Sequence, residues 1–232
     1  HVDISRKVFP FDFQIQEVLA GVDLEDHFGG NKNEYDRMSF ALGQYVARFG
    51  ALQFEGFGRF DEHQVKKGNL VGTKKSFPDY MEIRLDEDLK FIVDAGFITT
   101  KTFSTIRKLF DEYRPVMQIP QGSLVHHDLA DHNFMHVGDR ITGIFDWENA
   151  VAGDPILDIA SCPTWTTHYP REEKLIEGYK SIRSLPDHFV EKMQIYRLRT
   201  MIWKMVFALR AGILNDKRRE RFFDALSPFG IF

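Results

Sequence analysis

Residues 134–137 (FMHV) and 141–145 (ITGIF) are short apolar, β-branched or aromatic runs joined at Gly138-Asp139. Gly followed by a short polar residue suits a two-residue turn, so the runs are expected to pair as an antiparallel hairpin. That hairpin constrains the chain more than any other feature, because it folds residue 146 back beside residue 133. Asn133 stands just before the first run and Asp146 just after the second. A further apolar run, Ser123-Leu124-Val125, leads into His126-His127-Asp128-Leu129 and should deliver Asp128 to a loop.

Asp128 and Asn133 are five residues apart, and Asn133 and Asp146 thirteen. An H-x-D-x-x-x-x-N loop followed by an Asp on the next strand has the layout of a phosphoryl-transfer site. The first Asp is a base for an attacking hydroxyl, and the Asn and the second Asp are magnesium ligands. Magnesium favours oxygen donors, keeps several waters and is usually held by one or two carboxylates plus substrate phosphates. Taken singly, Asp128 reads as a capping residue and Asn133 as a turn former; the ordered trio between strand signals is what carries the chemistry.

The stretch 124–160 resembles the signature of the aminoglycoside phosphotransferase family, whose fold is shared with choline kinases and protein kinases. The matching text is LVHHDLADHN, GIFDWENA and GDPILDIA. The resemblance implies an α+β, protein-kinase-like fold, mainly the helical C-terminal lobe with a small catalytic β-hairpin. It also implies Asp128 as catalytic base, Asn133 and Asp146 as metal ligands, and residues 154–158 as a brace behind the loop. His127 departs from the pattern: the family usually has Gly there, and protein kinases have Arg. His126 is expected to hold loop backbone by hydrogen bonds. His132 and His136 lack cysteine partners and zinc-type spacing and read as solvated loop residues.

Residues 13–19 (FQIQEVL) read as a strand closed by Ala20-Gly21. They resemble the hinge of the same family, which implies that the Glu17 carbonyl and the Leu19 amide bind the adenine edge, with Gln16 lining the back of the pocket. An edge strand without a ligand is the plainer reading. No glycine-rich phosphate loop and no strand lysine paired with a helix glutamate is found upstream. The expectation is therefore a C-terminal lobe plus hinge from a longer parent, divided at residues 1–23 and 24–232, with slow turnover if it acts alone.

The remainder reads as helical. Residues 34–49 place Met38, Leu42, Tyr45, Val46 and Phe49 on one stripe, with Gly50 as C-terminal cap. Residues 54–60 (FEGFGRF) are glycine-broken and read as a loop. Helices are expected over 78–95, 102–113, 171–182 and 187–214, the last apolar over a wide arc and so buried on more than one side. Net charge is −4 with no basic stripe, which excludes nucleic acid as the natural partner. Lys217-Arg218-Arg219 reads as a solvated helix face. The single cysteine, Cys162, rules out an internal disulfide and fits a reducing, cytoplasmic compartment. No apolar run reaches the length of a membrane span.

The leading expectation is transfer of the γ-phosphoryl group of ATP (GTP is an alternative), with Mg2+, to a hydroxyl of a small molecule such as an aminoglycoside. Acidic candidates for a cationic acceptor are Glu148, Asp187, Glu191 and Asp111-Glu112; Trp165, Tyr169 and Trp203 could stack on it or pack core. A catalytically silent nucleotide or ligand binder and a metal-dependent phosphatase are the alternatives. Oligomeric state is not legible.

Overall fold

The computed structural model describes residues 2–165 and 167–231. The chain opens with a small hairpin, β1 (Val2–Asp3) with β2 (Phe13–Gln14), and a third short strand, β3 (Val22–Asp23). Of the expected 13–19 strand, Phe13–Gln14 forms the regular strand. Leu19 packs on the catalytic hairpin at Gly143, and Ala20 shares with it a bond described below.

Helix α1 (Lys32–Phe49) begins at Asn31, whose side chain accepts the amides of Asn33 and Glu34 while Glu34 Oε2 accepts the Asn31 amide at 2.7 Å. This reciprocal cap satisfies donors the first turn would leave bare. Gly50 closes the helix as expected, but in right-handed geometry (φ −60°). A side chain there would meet Arg183 and Pro155, so close approach accounts for the glycine.

Residues 54–60 are not a loop. They form β4 (Gln53–Phe54) and β5 (Phe57–Phe60), separated by Gly56 at φ +70°. The glycines mark a tight turn and close packing, since a Cβ on Gly58 would lie 2.6 Å from the Tyr80 ring. After α2 (Glu62–Val65) and β6 (Gly72–Lys74), the helix expected over 78–95 is broken in two, α3 (Phe77–Met81) and α4 (Leu85–Asp94). Arg84 at the break has φ 55°. The carbonyls freed there are met by a fully buried arginine from a distant helix: Arg199 donates to Met81 O at 2.6 Å, to Ile83 O, and to Asp88 at 3.0 Å. Interior backbone acceptors need partners, and periodicity carries no sign of a partner over a hundred residues away.

Helix α5 (Thr100–Tyr113) is capped by Thr99 and precedes β7 (Gly122–Val125). The hairpin then forms as read, β8 (Phe134–Val137) antiparallel to β9 (Arg140–Ile144), with Gly138 at φ +58° in the turn. β10 (Val151–Gly153) lies at the centre of a five-stranded sheet in the order β4-β7-β10-β5-β6. The hairpin belongs to a second sheet, β3-β8-β9.

Helices α6 (Ile156–Ser161), α7 (Glu172–Lys180), α8 (Phe189–Arg210) and α9 (Asp216–Leu226) complete the lobe. α8 is buried over a wide arc, including Met193, Tyr196, Leu198, Ile202 and Met205. Lys217, Arg218 and Arg219 lie exposed on α9. One connected apolar core runs from Leu24 to Ile231. No helix among the described residues is long and apolar enough to cross a membrane.

Two glycines let α1 and α7 cross backbone to backbone. A Cβ on Gly43 would fall 2.0 Å from Leu175 O, and one on Gly178 would fall 1.9 Å from Phe40 O. Gly178→Ala should therefore lower stability by about 1–3 kcal/mol, the usual cost of overpacking a close contact. Urea denaturation checks this; an unchanged midpoint would show that the helices can move apart freely.

Candidate active site

The site is built on one loop and the hairpin that follows it. β7 ends at Val125, and the next residues leave the sheet. Asp158, fully buried on α6, accepts the His126 amide on Oδ2 and the His127 amide on Oδ1, both at 2.8 Å. Burial pushes this carboxyl up to about 7, against the opposing pull of the two amide bonds. Of the two expected braces, only Asp158 touches the loop. Asp154 instead holds the start of α6 against α8, accepting from Lys192 at 2.7 Å, Tyr196 at 3.0 Å and the Ile156 amide at 3.0 Å.

His126 has the structural role the sequence suggested. Its Nε2 donates to Phe145 O at 3.0 Å, and its Nδ1 accepts the Asp128 amide at 3.2 Å. Those two bonds define a neutral ring with the proton on Nε2, and burial lowers its pKa accordingly. The ring also lies 4.4 Å from that of Trp147. His127 has φ 67°, which explains why a glycine serves at this position in the resembled pattern. A side chain in that region costs about 1–3 kcal/mol. Here the strain is borne by the Asp158 bond and by ring contacts to Tyr80 and Trp203. Burial, aided by nearby Arg59, pushes His127 down to about 4, so it stays neutral.

Asp128 is half-buried, and its Oδ1 is sealed from solvent without a hydrogen-bond partner. Burial raises its pKa; His132 and Lys204 pull it down, and Asp146 adds to the rise. Asn133 is 2% exposed and donates its Nδ2 to the Asp128 carbonyl at 2.8 Å, so its amide oxygen is the end not used in that bond. The Phe145 amide donates to Asn133 O at 3.1 Å, which extends the hairpin by one rung and sets Asp146 beside the loop. Asp146 is exposed and left-handed (φ 63°), where the chain turns from β9 into the short helical turn Trp147–Asn149. Asn and Asp oxygens are the hard donors magnesium takes. Among the described residues there is no group of three or more His, Cys, Asp or Glu side chains able to hold a metal by themselves.

The sequence reading missed what fixes Asn133. The loop turns through a 3-10 segment, Asp131–Asn133, and Asp131 is buried. It accepts from Tyr35 Oη on α1 at 2.9 Å and forms an ion pair with Arg171 at the start of α7. The α1–α7 pair thus clamps the loop. In sequence, Asp131 looks like a solvated acid, and nothing nearby marks its partners. His132 is exposed and meets Glu25 Oε2 at 2.6 Å. His136 is not a solvated loop residue: it is buried on β8, bonded to Gly138 O at 2.9 Å and set edge-on to Phe28.

Of the residues expected to form a hinge, Leu19 and the neighbouring Ala20 lie against β9. Thr142 Oγ1 donates to Ala20 O at 2.6 Å, and Gly143 leaves room for the Leu19 side chain, whose Cδ1 would be 2.1 Å from a Cβ there. Glu17 is exposed.

The loop is thus braced by a buried carboxylate and followed by a hairpin that pairs Phe145 with Asn133, and comparison with known proteins gives the chain's family. The sequence model of the phosphotransferase enzyme family matches residues 2–187, and the chain belongs to that family. It is similar to the probable ketoamine kinase YniA of Escherichia coli O157:H7, with 26% identity over 167 residues covering 71% of this chain and 56% of that protein. The chain thus spans little more than half the length of this curated relative. The fold matches a thermostable mutant of aminoglycoside phosphotransferase APH(4)-Ia in complex with AMP-PNP and hygromycin B (TM-score 0.64, 19% identity, covering 90% of this chain and 70% of that one). It also matches a putative fructosamine-3-kinase from Thermobifida fusca YX-ER1 (TM-score 0.58, 16% identity, 83% and 66%). The kinase-like fold expected from the motifs is the fold observed.

Asp158→Asn keeps one acceptor but turns an NH2 group toward the second loop amide. Hydrogen exchange at the His126 and His127 amides should speed up at least tenfold, one unpaired buried amide costing about 1–3 kcal/mol. Unchanged protection at both amides would contradict the brace.

Proposed function

We propose that the chain is the catalytic lobe of a kinase that transfers the γ-phosphoryl group of ATP to a hydroxyl of a small molecule, with magnesium as cofactor. The observation that carries this reading is the buried, unpartnered Asp128 Oδ1 on a loop held at both ends, by Asp158 and by Asp131. An acceptor atom without a donor is costly in a folded protein, and such an atom is kept where function needs an uncommitted carboxylate.

In this reading the half-buried Asp128 carboxylate accepts the proton of the acceptor hydroxyl. Burial aids the task, because a carboxylate with raised pKa is a stronger base. Asn133 Oδ1 and the Asp146 carboxylate would hold magnesium, which when bound supplies charge neutralisation on the phosphates. The bond from Asn133 Nδ2 to the Asp128 carbonyl fixes base and metal ligand in one frame. Glu17 O and the Leu19 amide are assigned to the adenine edge, which the packing of residues 19 and 20 on β9 supports. Phosphoryl transfer rests on positioning more than on covalent chemistry, and these contacts position.

The acceptor is a small hydroxyl compound, for which aminoglycosides are the class that the sequence resemblance suggests. Of the acidic candidates for a cationic acceptor, Asp111 pairs with Arg107, Glu112 with Lys108 and Glu191 with His188. Glu148 alone stands beside the hairpin.

Asp128→Ala should lower phosphoryl transfer by about 10²–10⁴-fold, the range expected for loss of a general base. A coupled ADP-release assay checks this; an equal rate in the variant would contradict Asp128 as the base, and no turnover in either protein would favour a binder without catalysis. The base must be ionised, so activity falls as pH falls through its pKa. The acid limb of the rate profile should lie above 3.8, the ordinary aspartate value. A limb at or below that value would contradict the assignment.

A further inference from the structure

Successive residues of the catalytic loop face opposite walls. His126 turns toward the hairpin, with Trp147 and the Phe145 carbonyl, and it feels the charge of Asp146. His127 turns toward α3 and α8. Its Nδ1 lies 3.4 Å from Tyr80 Oη and its ring 5.0 Å from that of Trp203, and it feels the charges of Arg59 and Lys204. Asp128 lies between and is influenced by both Asp146 and Lys204. The wall that His127 faces carries positive charge.

Three cations act on His127. Arg199 is fully buried and satisfied by Asp88 and two carbonyls. Lys204 is not matched in this way. Its Nζ sits 3.3 Å from the centroid of the Trp165 ring and donates to Thr164 Oγ1 at 2.6 Å. Among the described residues, no carboxylate lies within ion-pair distance of it. Burial brings its pKa down to about 7, partly offset by Asp128. Arg59 on β5 is exposed, with only a long 3.5 Å contact to Asn149, and it likewise forms no ion pair among the described residues. Sheet register places it: Val151 faces Arg59 on one side and Val125 on the other. Arg59 therefore lies two strands, about 10 Å, from the start of the catalytic loop. Glu191, the one acidic candidate on α8 itself, is thirteen residues before Lys204, about 20 Å along the helix.

A half-buried ammonium whose contacts are a ring face and a hydroxyl, with no carboxylate in ion-pair contact among the described residues, is left incompletely compensated, and an anion offsets its desolvation. We propose that the acceptor carries, besides its reacting hydroxyl, a carboxylate or phosphate group that docks at Lys204 and Arg59, so that this chain selects anionic hydroxyl compounds over cationic sugars. Trp165 holds the lysine in place through its ring face, which leaves the ammonium hydrogens for Thr164 and for the ligand. The inference rests on the reading of Asp128 as the base for the acceptor, and it names the class of substrate for that same site.

The test uses compounds that share a skeleton and differ in charge: glucuronate, glucose 6-phosphate, glucose and glucosamine, with glycerate, glycerol 3-phosphate, glycerol and 3-amino-1,2-propanediol as a second series. Binding to the chain is measured by ligand-observed NMR in the presence of AMP-PNP and magnesium. In at least one series the carboxylate or the phosphate member should bind at least tenfold tighter than the neutral and the cationic members, and the stronger of the two identifies the anion. Lys204→Met should remove that advantage, Lys204→Arg should retain most of it, and Arg59→Gln, at an exposed position that does not threaten folding, should reduce it severalfold. Equal binding across both series, or tightest binding of an amine, overturns the proposal. So does a Lys204→Met variant that loses AMP-PNP affinity as much as anion affinity, since the lysine would then serve the nucleotide. Failure to bind AMP-PNP with magnesium at all would instead count against the kinase reading, and is scored separately from the charge series.

Discussion

A single buried carboxylate organises this lobe. Asp158 takes the amides of His126 and His127 on its two oxygens, and so turns the chain out of β7 at a fixed angle. His127 can be left-handed only because that bond and its ring contacts hold it there. Asp128 follows in the one direction left open. The other end of the loop is secured by Asp131, locked to Tyr35 and Arg171. Two acids that take no part in the proposed chemistry thus aim the one that does.

Both acids are buried where an isolated charge would be unfavourable, and each is satisfied by donors from separate elements. Asp158 draws on the loop from α6; Asp131 draws on α1 and α7. The glycine crossing of α1 and α7 lets the two helices approach closely enough to supply Tyr35 and Arg171 together. Packing far from the cleft is in this way part of its geometry.

The hairpin and the loop before it were legible because they are built from residues close together in sequence. Asp128, Asn133 and Asp146 could be read as a set before any fold was known, and so could the bracing role of Asp158. What was not legible depends on long-range partners. The break between α3 and α4 is stabilised by Arg199, over a hundred residues away, so periodicity read one helix where there are two. The glycines of 54–60 suggested a loop, although they serve strand packing against Tyr80. Lys204 sits within an apolar helix pattern and carried no signal, because its meaning depends on Trp165 and on a loop eighty residues earlier.

The central claim is that the hairpin converts sequence spacing into a divalent-cation site beside a base. Diffraction at the manganese edge, from crystals grown with AMP-PNP and Mn2+, tests it most directly. The expected result is an anomalous peak coordinated by Asn133 Oδ1 and an Asp146 oxygen, with the Asp128 carboxylate on the side of the terminal phosphate. A peak held by other side chains, or nucleotide bound with Asp128 turned away from it, would contradict the account.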